Sequence, residues 1–425
     1  MKNKDIQTFD VAIFGAGIAG SLCAARLSKK KLRVILIEKK PSIPSSKDTL
    51  VTQSEYVKKF GLKKNVILNK GNTLSYLTYP ERIKSSFTNK QIGISEPIVL
   101  DCNKFIKNDI ETATKNKCIF KINDEIHKIK KIDDYSLIYL KTEEISFKAK
   151  IVIDATGTSC AVGKKLNVFK QRLPVGYTYT FLTAGDNIKN PKEAFFEVEK
   201  FCRWFWIYPI SHSKSFAGLY TFKKETYDNF EQEINAYLSK HGHEYTKYYN
   251  EEFGLSFLND FSPIKNKKIV VDNVLFLGES GGTTTPLLGE GFRPIAEIVI
   301  WLENNIEDIL KEKKRLSDVQ DHFFSTTGRD YSLMRAILPI ILKLNHKESK
   351  ELMQKYILKL DPKQLYKFTI VKQDRQEWIQ MLTAVSRSLT IYRKLFLGLT
   401  SPINALKLMN ELKKRKLISS IFDLL

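Results

Sequence analysis

Apolar and polar positions alternate in blocks along the first forty residues of the chain. Val11 to Phe14 is a continuous apolar run, which is typical of a strand buried on both faces. A Gly-rich turn follows it, and a helix is predicted from about Ser21. The run LRVILIE, which ends at Glu38, predicts a second strand. The pattern therefore predicts a strand, a turn, a helix and a strand in one unit.

Two later apolar runs also end in Gly-containing loops. Ile151 to Ile153 predicts a buried strand after two or three hairpin strands, whose turn signal is DDYS. Val274 to Leu277 predicts another strand. From Gly289 onward a helix is predicted, because apolar residues recur there at helical spacing on one face. Each run thus predicts a strand followed by a pliable loop.

The spacing of apolar residues also predicts elements in the middle and at the end of the chain. In RWFWIYP, Trp204 and Trp206 alternate with other residues, as on a half-buried strand. From about Trp301 the chain predicts helices, with apolar residues three and four apart and lysines opposite them. Two interpretations of these helices stay open: ordinary packing on the rest of the protein, or a basic, apolar cap that touches a membrane.

Composition bounds the class of protein. The 425 residues are 43% hydrophobic, which is enough for a large core and two or three substructures. The net charge is +22, but the lysines are spread along the chain without a nucleic-acid-binding motif, so no nucleic-acid partner is expected. Five scattered cysteines predict reduced thiols and no metal site. With no export signal and no uncharged run near the ~18 residues of a membrane span, we expect a cytoplasmic protein, soluble or peripheral to the inner face of the membrane.

The first candidate site is a G-x-G-x-x-G motif directly after the first predicted strand. Its glycines permit a tight turn, a close approach to a pyrophosphate, and close packing of helix on strand. Glu38 ends the next strand, where a carboxylate binds ribose hydroxyls and disfavours a 2′-phosphate. We therefore predict bound FAD or NAD, in preference to a ligand-free turn. The predicted contacts are Gly15, Gly17, Ile18, Ala19, Gly20, Glu38 and Lys39.

Three motifs in this order, at residues 15–38, 154–157 and 278–291, resemble the FAD-dependent oxidoreductase superfamily of aromatic hydroxylases, flavin-dependent halogenases and geranylgeranyl reductases. RWFWIYP, followed by a Gly-containing strand, is similar to the Y-x-W-x-F-P … G-x-G motif of geranylgeranyl reductases. PLLGEG is similar to their P-x-x-G-E-G loop. Halogenases carry a nearly identical W-x-W-x-I-P string, so both families stay open.

The resemblance implies an α/β fold with a glutathione-reductase-like FAD-binding Rossmann domain, an antiparallel-sheet substrate domain and a helical C-terminal region. The implied FAD-binding domain is discontinuous and comprises residues 1–70, 100–170 and 265–305. The implied substrate domain comprises 71–99 and 171–264, and the helical region comprises 306–425.

The resemblance also implies FAD as the cofactor, held by a carboxylate at a strand end and by a helix N-terminus that faces the flavin. The implied cofactor contacts in the later loops are Gly157, Gly278, Glu279, Pro286, Gly289, Glu290 and Gly291. The implied apolar substrate pocket comprises Trp204, Trp206, Tyr208 and Pro209, although core packing explains the tryptophans equally well. No catalytic residue is assigned.

The activity implied by the resemblance is reduction of C=C bonds in a geranylgeranyl chain or another isoprenoid lipid. The external reductant would be NAD(P)H or a ferredoxin-like carrier, because the sequence has no second dinucleotide motif. One alternative is a monooxygenase or halogenase acting on a small aromatic substrate. Another is an FAD-poor, non-enzymatic relative.

Some residues depart from the family patterns. Glu279 stands where the superfamily usually has Asp, and Asn103 in VLDCNKF stands near the usual place of an arginine. PSIPSSKDTLVT lacks the cysteine that geranylgeranyl reductases usually carry there. We interpret Lys47 as a solvated loop lysine, His212 as a surface residue in a turn, and Cys160 as a buried, inert thiol.

Overall fold

The computed structural model of the chain describes residues 6–43, 49–78, 83–93, 95–142, 147–184, 188–200, 203–221, 229–241, 247–261, 269–284 and 291–328, with isolated positions after residue 344. Four residues singled out above lie outside the described residues, namely Lys47, Pro286, Gly289 and Glu290. Most of the predicted helical region beyond residue 328 also lies outside them.

The strands are β1 Thr8–Phe14, β2 Val34–Ile37, β3 Thr49–Gln53, β4 Ile67–Lys70, β5 Thr73–Thr78, β6 Ile83–Thr88, β7 Pro97–Asp101, β8 Ile119–Lys121, β9 Ile126–Ile132, β10 Tyr135–Leu140, β11 Phe147–Asp154, β12 Phe169–Ala184, β13 Glu193–Lys200, β14 Arg203–Pro209, β15 Lys214–Thr221, β16 Lys247–Phe261, β17 Val270–Val271 and β18 Val274–Phe276. The helices are α1 Ile18–Ser28, α2 Ser54–Phe60, α3 Asn89–Ile92, α4 Cys102–Lys115, α5 Ala161–Leu166, α6 Phe230–His241, α7 Phe292–Leu310 and α8 Asp318–Ser325. Short 3₁₀ turns lie at Lys64–Val66, Gly157–Ser159 and Gly278–Ser280.

The first sheet is a parallel sheet with the strand order β8-β2-β1-β11-β18. β10 pairs antiparallel with the start of β11, β9 pairs with β10, and β17 pairs antiparallel with β18. This arrangement of a parallel sheet with connecting helices is Rossmann-like. The predicted mixed α/β fold with a dinucleotide-binding unit is therefore confirmed.

Both faces of the parallel sheet are covered, which explains why its strands are continuously apolar. On one face, Val11 and Ile13 pack in a cluster with Leu22 of α1 and with residues of α4 and α7. On the other face, Ala12 and Phe14 pack in a cluster with residues of β9 and β10. Alternate residues of β1 thus serve two separate cores.

The second sheet has the strand order β16-β12-β15-β14-β13-β5-β6. All neighbouring pairs are antiparallel except β5 and β13, which are parallel. The segment between residues 71 and 99 therefore contributes two strands to a sheet whose other strands come from residues 169–261. The predicted antiparallel sheet is present, whereas the division into domains at the boundaries given above stays a prediction.

A small third sheet, β3-β7-β4, is formed by strands from residues 49–101 and is bonded to the second sheet. The side-chain amide of Asn69, in β4, donates two hydrogen bonds. Its Nδ2 donates to the carbonyl oxygen of Pro191 at 2.6 Å and to that of Pro209 at 2.7 Å. The end of β14 is therefore fixed to β4.

Several element boundaries differ from the sequence prediction, and α7 begins at Phe292 and not at Gly289. α1 begins at Ile18, directly after Gly17, and not at about Ser21. The first turn of α1 contains Gly20, and glycine is a poor helix former. Tertiary packing overrides this propensity, because residues Ala19 to Ala25 are all buried. β18 ends at Phe276, one residue before the predicted end, because a 3₁₀ turn begins at Gly278.

A buried carboxyl lies in α4. Asp109 is 9% exposed, and its Oδ2 has no hydrogen-bond partner. Asp109 lines a cavity of about 70 Å³ between α1, α2 and α4. Burial raises the pKa of Asp109 from 3.8 to about 7, although the charges of Lys29 and Arg26 oppose that shift. Arg26 does not pair with it, because its guanidinium donates to Glu303 at 2.6 and 2.8 Å.

This carboxyl predicts pH-dependent stability. Between pH 4 and pH 7 the unfolded chain ionises Asp109 while the folded chain keeps it protonated, so the free energy of unfolding falls as the pH rises. At about 1.4 kcal/mol per pKa unit, the loss reaches a few kcal/mol. Asp109→Asn should therefore stabilise the protein at pH 8 and have much less effect at pH 4, as measured by urea unfolding.

Asp134→Asn, in the exposed turn between β9 and β10, is the matched control and should show no such difference. Equal effects of Asp109→Asn at the two pH values would contradict the assignment.

Candidate dinucleotide and substrate site

Two glycines of the first motif are required by the packing of the protein itself. Gly15 has φ +93°, and a Cβ there would lie 2.5 Å from the carbonyl oxygen of Ala155. A Cβ on Gly20 would lie 1.8 Å from the carbonyl oxygen of Gly15. No side chain fits at either position, so α1 lies directly against the turn after β1 and against the end of β11.

Gly17 differs from its neighbours. It is the N-cap residue of α1, and a Cβ there would meet no atom within 4 Å. The protein's own packing therefore does not require a glycine. The space beside it opens at the N-terminus of α1, where unpaired N–H groups favour a phosphate. This open space is the candidate position for the pyrophosphate expected from the sequence.

Glu38 is fixed beside this turn. Its side chain is 6% exposed, and Oε2 accepts from the backbone N–H of Ala16 at 2.8 Å. Oε1 accepts from the N–H of Lys40 at 2.9 Å. Each carboxylate oxygen can accept more than one hydrogen bond, so Glu38 is a candidate acceptor for the hydroxyls of a ribose. Lys39, the other predicted contact here, is exposed.

Asp154, the first residue of the motif at 154–157, accepts several hydrogen bonds, although no function was predicted for it. It ends β11 and is fully buried. Its Oδ1 accepts from the N–H of Thr156 at 3.0 Å and from the Thr156 hydroxyl at 2.6 Å. Its Oδ2 accepts from the N–H of Gly163 at 3.0 Å. In the sequence, Asp154 could be noticed as an acid at the end of an apolar strand. Its hydrogen-bond donors are evident only in the folded chain.

Ser280 connects the two later loops. Its hydroxyl lies 3.1 Å from Asp154 Oδ1 and 3.1 Å from the carbonyl oxygen of Gly157. The carbonyl oxygen of Ser280 also accepts from the Cys160 thiol at 3.6 Å. The loop after β18 is thus attached to the loop after β11, and the predicted contacts Gly157 and Gly278 lie at neighbouring strand ends.

Glu279 bends back within its own loop. The Thr284 hydroxyl donates to Glu279 Oε1, and the Thr283 N–H donates to the Gly278 carbonyl oxygen at 3.2 Å. Gly278 has φ +71°, and a Cβ there would come within 3.3 Å of Ile295 in α7. The carboxylate therefore lies in a tight loop between β18 and α7.

The N-terminus of α7 follows this loop. Gly291 is its N-cap residue, and the first residues of the helix are buried. Arg293, which no sequence pattern singled out, is 3% exposed in this first turn. One turn further, Glu297 accepts from the Tyr56 hydroxyl at 2.7 Å, which joins α7 to α2. In the sequence, Arg293 could be noticed only as an arginine among the apolar residues at the start of the predicted helix.

β14 carries the predicted substrate-pocket residues. Trp204 is 2% exposed, whereas Trp206 and Tyr208 are partly exposed on the same face of the strand. Trp204 belongs to the same apolar cluster as residues of α1 and α7, and the other two pack against that cluster. Pro209 ends the strand and accepts from Asn69. The structure therefore brings the three aromatic side chains to the face of the second sheet that meets the dinucleotide-binding unit.

The remaining candidates lie apart from this arrangement or have structural partners. His212 is exposed, with Nδ1 3.0 Å from the carbonyl oxygen of Ile188. Cys160 is fully buried. Asn103 lies in the first turn of α4, and its Oδ1 is buried without a hydrogen-bond partner.

Two further observations concern the described residues as a whole. Within the ranges given above, no three or more His, Cys, Asp or Glu side chains are grouped in a way that could hold a metal ion. Across the same part of the chain, no helix is both long and apolar enough to cross a membrane.

Fold and site together define a Rossmann-type dinucleotide-binding protein with a second, aromatic-lined sheet. Residues 13–48 match the family described as NAD(P)-binding Rossmann-like domain. The chain is 22% identical to digeranylgeranylglycerophospholipid reductase 3 of Methanosphaera stadtmanae, over 85% of this chain and 98% of that protein. It is 23% identical to reductase 2 of the same organism, over 85% of this chain and 95% of that protein.

Solved structures give the same picture of the fold. A geranylgeranyl bacteriochlorophyll reductase-like protein of Thermoplasma acidophilum superposes with a TM-score of 0.69 at 14% identity, covering 92% of this chain and 98% of that one. A flavin-dependent brominase superposes with a TM-score of 0.66 at 16% identity, covering 91% and 100%. The resemblance to geranylgeranyl reductases and their halogenase neighbours, inferred from the motifs, is confirmed.

The glycine contacts predict opposite outcomes for two similar substitutions. Gly20→Ala should destabilise the apoprotein by several kcal/mol or abolish soluble expression, because its methyl group has no room. Gly17→Ala should change the free energy of unfolding by less than about 1 kcal/mol, the usual size of an N-cap effect. Urea unfolding of the cofactor-free proteins compares them. Similar losses for both variants would show that Gly17 is also required by packing.

The acceptor role of Asp154 makes a second prediction. Asp154→Asn keeps one oxygen and introduces an N–H₂ donor facing other donors, so at least one buried N–H loses its partner. We expect a loss of about 1–3 kcal/mol in unfolding free energy. Ser280→Ala, which removes a single hydroxyl from the same cluster, is the control and should lose less. A neutral Asp154→Asn would contradict the anchoring role.

Proposed function

We propose that this chain is a flavin-dependent oxidoreductase that reduces C=C bonds in the prenyl chain of an isoprenoid lipid. The observation that carries the proposal is the position of the aromatic face of β14, which shares one apolar cluster with the helices that begin at the dinucleotide site. An apolar chain bound on that face would lie beside a redox cofactor. The reductases to which the chain is similar are named for digeranylgeranylglycerophospholipids, whose chains have this chemistry.

The Rossmann-like unit and the similarity to flavoenzymes indicate a flavin cofactor, and we propose that it is FAD in a glutathione-reductase-like domain. The open space beside Gly17 suits the pyrophosphate, and Glu38 suits the adenosine ribose. Glu279 and the N-terminus of α7 would face the ribityl chain and the ring. We also propose that Pro286, Gly289 and Glu290 contact the cofactor. This proposal rests on the family resemblance, since these residues lie outside the described part of the chain.

Bound FAD would supply the hydride for the alkene. This chain's own contribution is to hold the alkene in place and to exclude water, because Trp206 and Tyr208 keep partly exposed carbon surface above the buried cluster that contains Trp204. The N-terminus of α7 favours negative charge where its helix begins. A proton from water or a nearby acid completes the addition of two hydrogens to the double bond.

The reductant is proposed to be external, either NAD(P)H or a ferredoxin-like carrier, because the sequence contains a single dinucleotide motif. The net charge of +22 favours approach of an acidic carrier or an anionic membrane surface. We propose a cytoplasmic location, with peripheral contact to the membrane that holds the lipid. The helical region after residue 306 is proposed to contribute to that contact.

An oxygen-using halogenase or monooxygenase is the second candidate, and the TM-score of 0.66 with a flavin-dependent brominase favours it. The two candidates differ in their need for oxygen. A reductase works anaerobically and adds hydrogen to the lipid, whereas the second candidate consumes oxygen and acts on an aromatic substrate.

One anaerobic experiment tests the proposal. The FAD-loaded protein is reduced with dithionite, mixed with a geranylgeranylglycerol lipid, and followed by flavin absorbance and by product mass. We expect reoxidation of the flavin together with a lipid that is heavier by two hydrogen atoms for each reduced bond. Reoxidation only after air is admitted, with an unchanged lipid, would favour the second candidate.

Gly17→Val is the control for the cofactor site. Its side chain fills the space that the protein leaves open, so FAD content should fall while the fold is kept. Normal FAD content in Gly17→Val would contradict the proposed pyrophosphate position. A wild-type protein that stays colourless in excess FAD would instead support an FAD-poor relative.

A further inference from the structure

The cavity of about 70 Å³ between α1, α2 and α4 lies apart from the dinucleotide site. Arg26, which lines it, follows the N-cap residue Gly17 by nine residues, which is about 13 Å along the helix. The volume is several times the roughly 10–15 Å³ that one water molecule needs, so a small polyatomic ligand fits. Its lining residues are not among the candidate contacts for the cofactor or the substrate.

Two adjacent polar residues of α4 mark this cavity as a binding site. Asn108 and Asp109 both line it, and Asp109 is only 9% exposed. Within the part of the chain that the structure describes, Asn108 Nδ2 and Asp109 Oδ2 are buried and have no hydrogen-bond partner. Buried polar atoms in native proteins are almost always hydrogen-bonded, and an exception points to an ion or a molecule that binds them.

The charged side chains around the cavity favour an anion. Three basic residues line it, namely Arg26 and Lys29 of α1 and Lys63, which follows α2. Asp109 is the acid among the lining residues that the structure describes. Arg26 is bound to Glu303, whereas Lys29 and Lys63 form no ion pair with any described residue. A cationic ligand would therefore meet like charges, and an anion would meet two available lysines.

Asp109 can also bind an anion when it carries a proton. A protonated carboxyl has one O–H donor, whereas an ionised carboxylate would repel the anion. Burial raises the pKa of Asp109 to about 7, against the opposing charges of Lys29 and Arg26, so both forms occur near neutral pH. A bound anion favours the protonated form, because it repels the carboxylate.

We propose that this cavity is a second binding site, which takes a small oxyanion of the phosphate class together with one proton on Asp109. Lys29 and Lys63 neutralise the charge of the anion, and the Asn108 amide and the Asp109 hydroxyl donate hydrogen bonds to its oxygens. Free phosphate and the phosphate of a lipid headgroup share this chemistry. The bound anion joins α1, α4 and the segment after α2, because its ligands come from all three.

The test uses sulfate as the probe, because its charge stays the same between pH 6 and pH 8. The FAD-loaded protein is titrated by calorimetry, so that the pyrophosphate position beside Gly17 is already filled. Lys63→Gln should weaken sulfate binding about tenfold or more, the scale of a hydrogen bond to a charged group. Lys128→Gln, at an exposed position of β9, removes one positive charge elsewhere and should leave binding unchanged. Equal losses in the two variants, or no saturable binding by the wild-type protein, would overturn the site.

The proton gives this binding a pH dependence of definite sign. With a pKa of about 7, Asp109 is mostly protonated at pH 6 and mostly ionised at pH 8, so sulfate should bind up to about tenfold more tightly at pH 6. Asp109→Asn keeps an N–H donor and does not titrate, so it should bind sulfate about equally at the two pH values. The same pH dependence in Asp109→Asn as in the wild-type protein would show that the proton is not on Asp109.

Vesicles distinguish the two sources of the anion. Phosphatidylcholine vesicles with and without phosphatidylglycerol are mixed with the wild-type protein and with both lysine variants. If a lipid headgroup is the ligand, phosphatidylglycerol vesicles compete with sulfate, and Lys63→Gln binds them more weakly than Lys128→Gln does. If the two variants bind vesicles equally while Lys63→Gln alone loses sulfate, the site takes a free anion.

Discussion

The close approach of three backbone segments is the constraint on which the rest of the site depends. Gly20 of α1 lies so near Gly15 that a Cβ would be 1.8 Å from the Gly15 carbonyl oxygen, and Gly15 in turn lies against Ala155 at the end of β11. Two adjacent parallel strands and one helix are thereby held at a fixed distance. Because the helix starts there, its free N–H groups lie at the carboxyl ends of the strands, where open α/β sheets bind their ligands. Glu38 can reach the same turn only because β2 is the next strand.

Buried hydrogen bonds then fix the positions of the loops after β11 and β18 relative to this turn. Asp154 continues directly from the strand beside Gly15 and binds two backbone N–H groups. Ser280 then attaches the loop after β18 to the same carboxylate. A buried carboxylate without these donors would be strongly unfavourable, so the loops and the acid stabilise one another. The candidate contacts at the turn after β1 and those at the loops after β11 and β18 are therefore parts of one connected cluster.

Local sequence patterns predicted the features that depend on residues close together in the chain. They did not predict contacts between distant segments. The G-x-G-x-x-G turn and the acid at Glu38 were predictable, because turn, helix and strand lie within one short stretch. The parallel pairing of β5 with β13 has no local signal, since it joins distant segments. The roles of Asp154 and Asn69 were missed for the same reason. Trp206 was predictable as a half-buried strand residue, but its contact with Gly218 depends on the register between β14 and β15.

The same reasoning resolves the departure at Glu279. A glutamate is one methylene longer than the aspartate usual in the superfamily, and a longer acid could be expected to push the loop outward. The loop is held by other groups, however, because Ser280 is bonded to Asp154, and Gly281 lies so close to Phe276 that a Cβ would be 2.2 Å from its carbonyl oxygen. Inside the loop, the Thr284 hydroxyl donates to the Glu279 carboxylate. The position of the loop is therefore held by contacts that do not depend on the length of the acid.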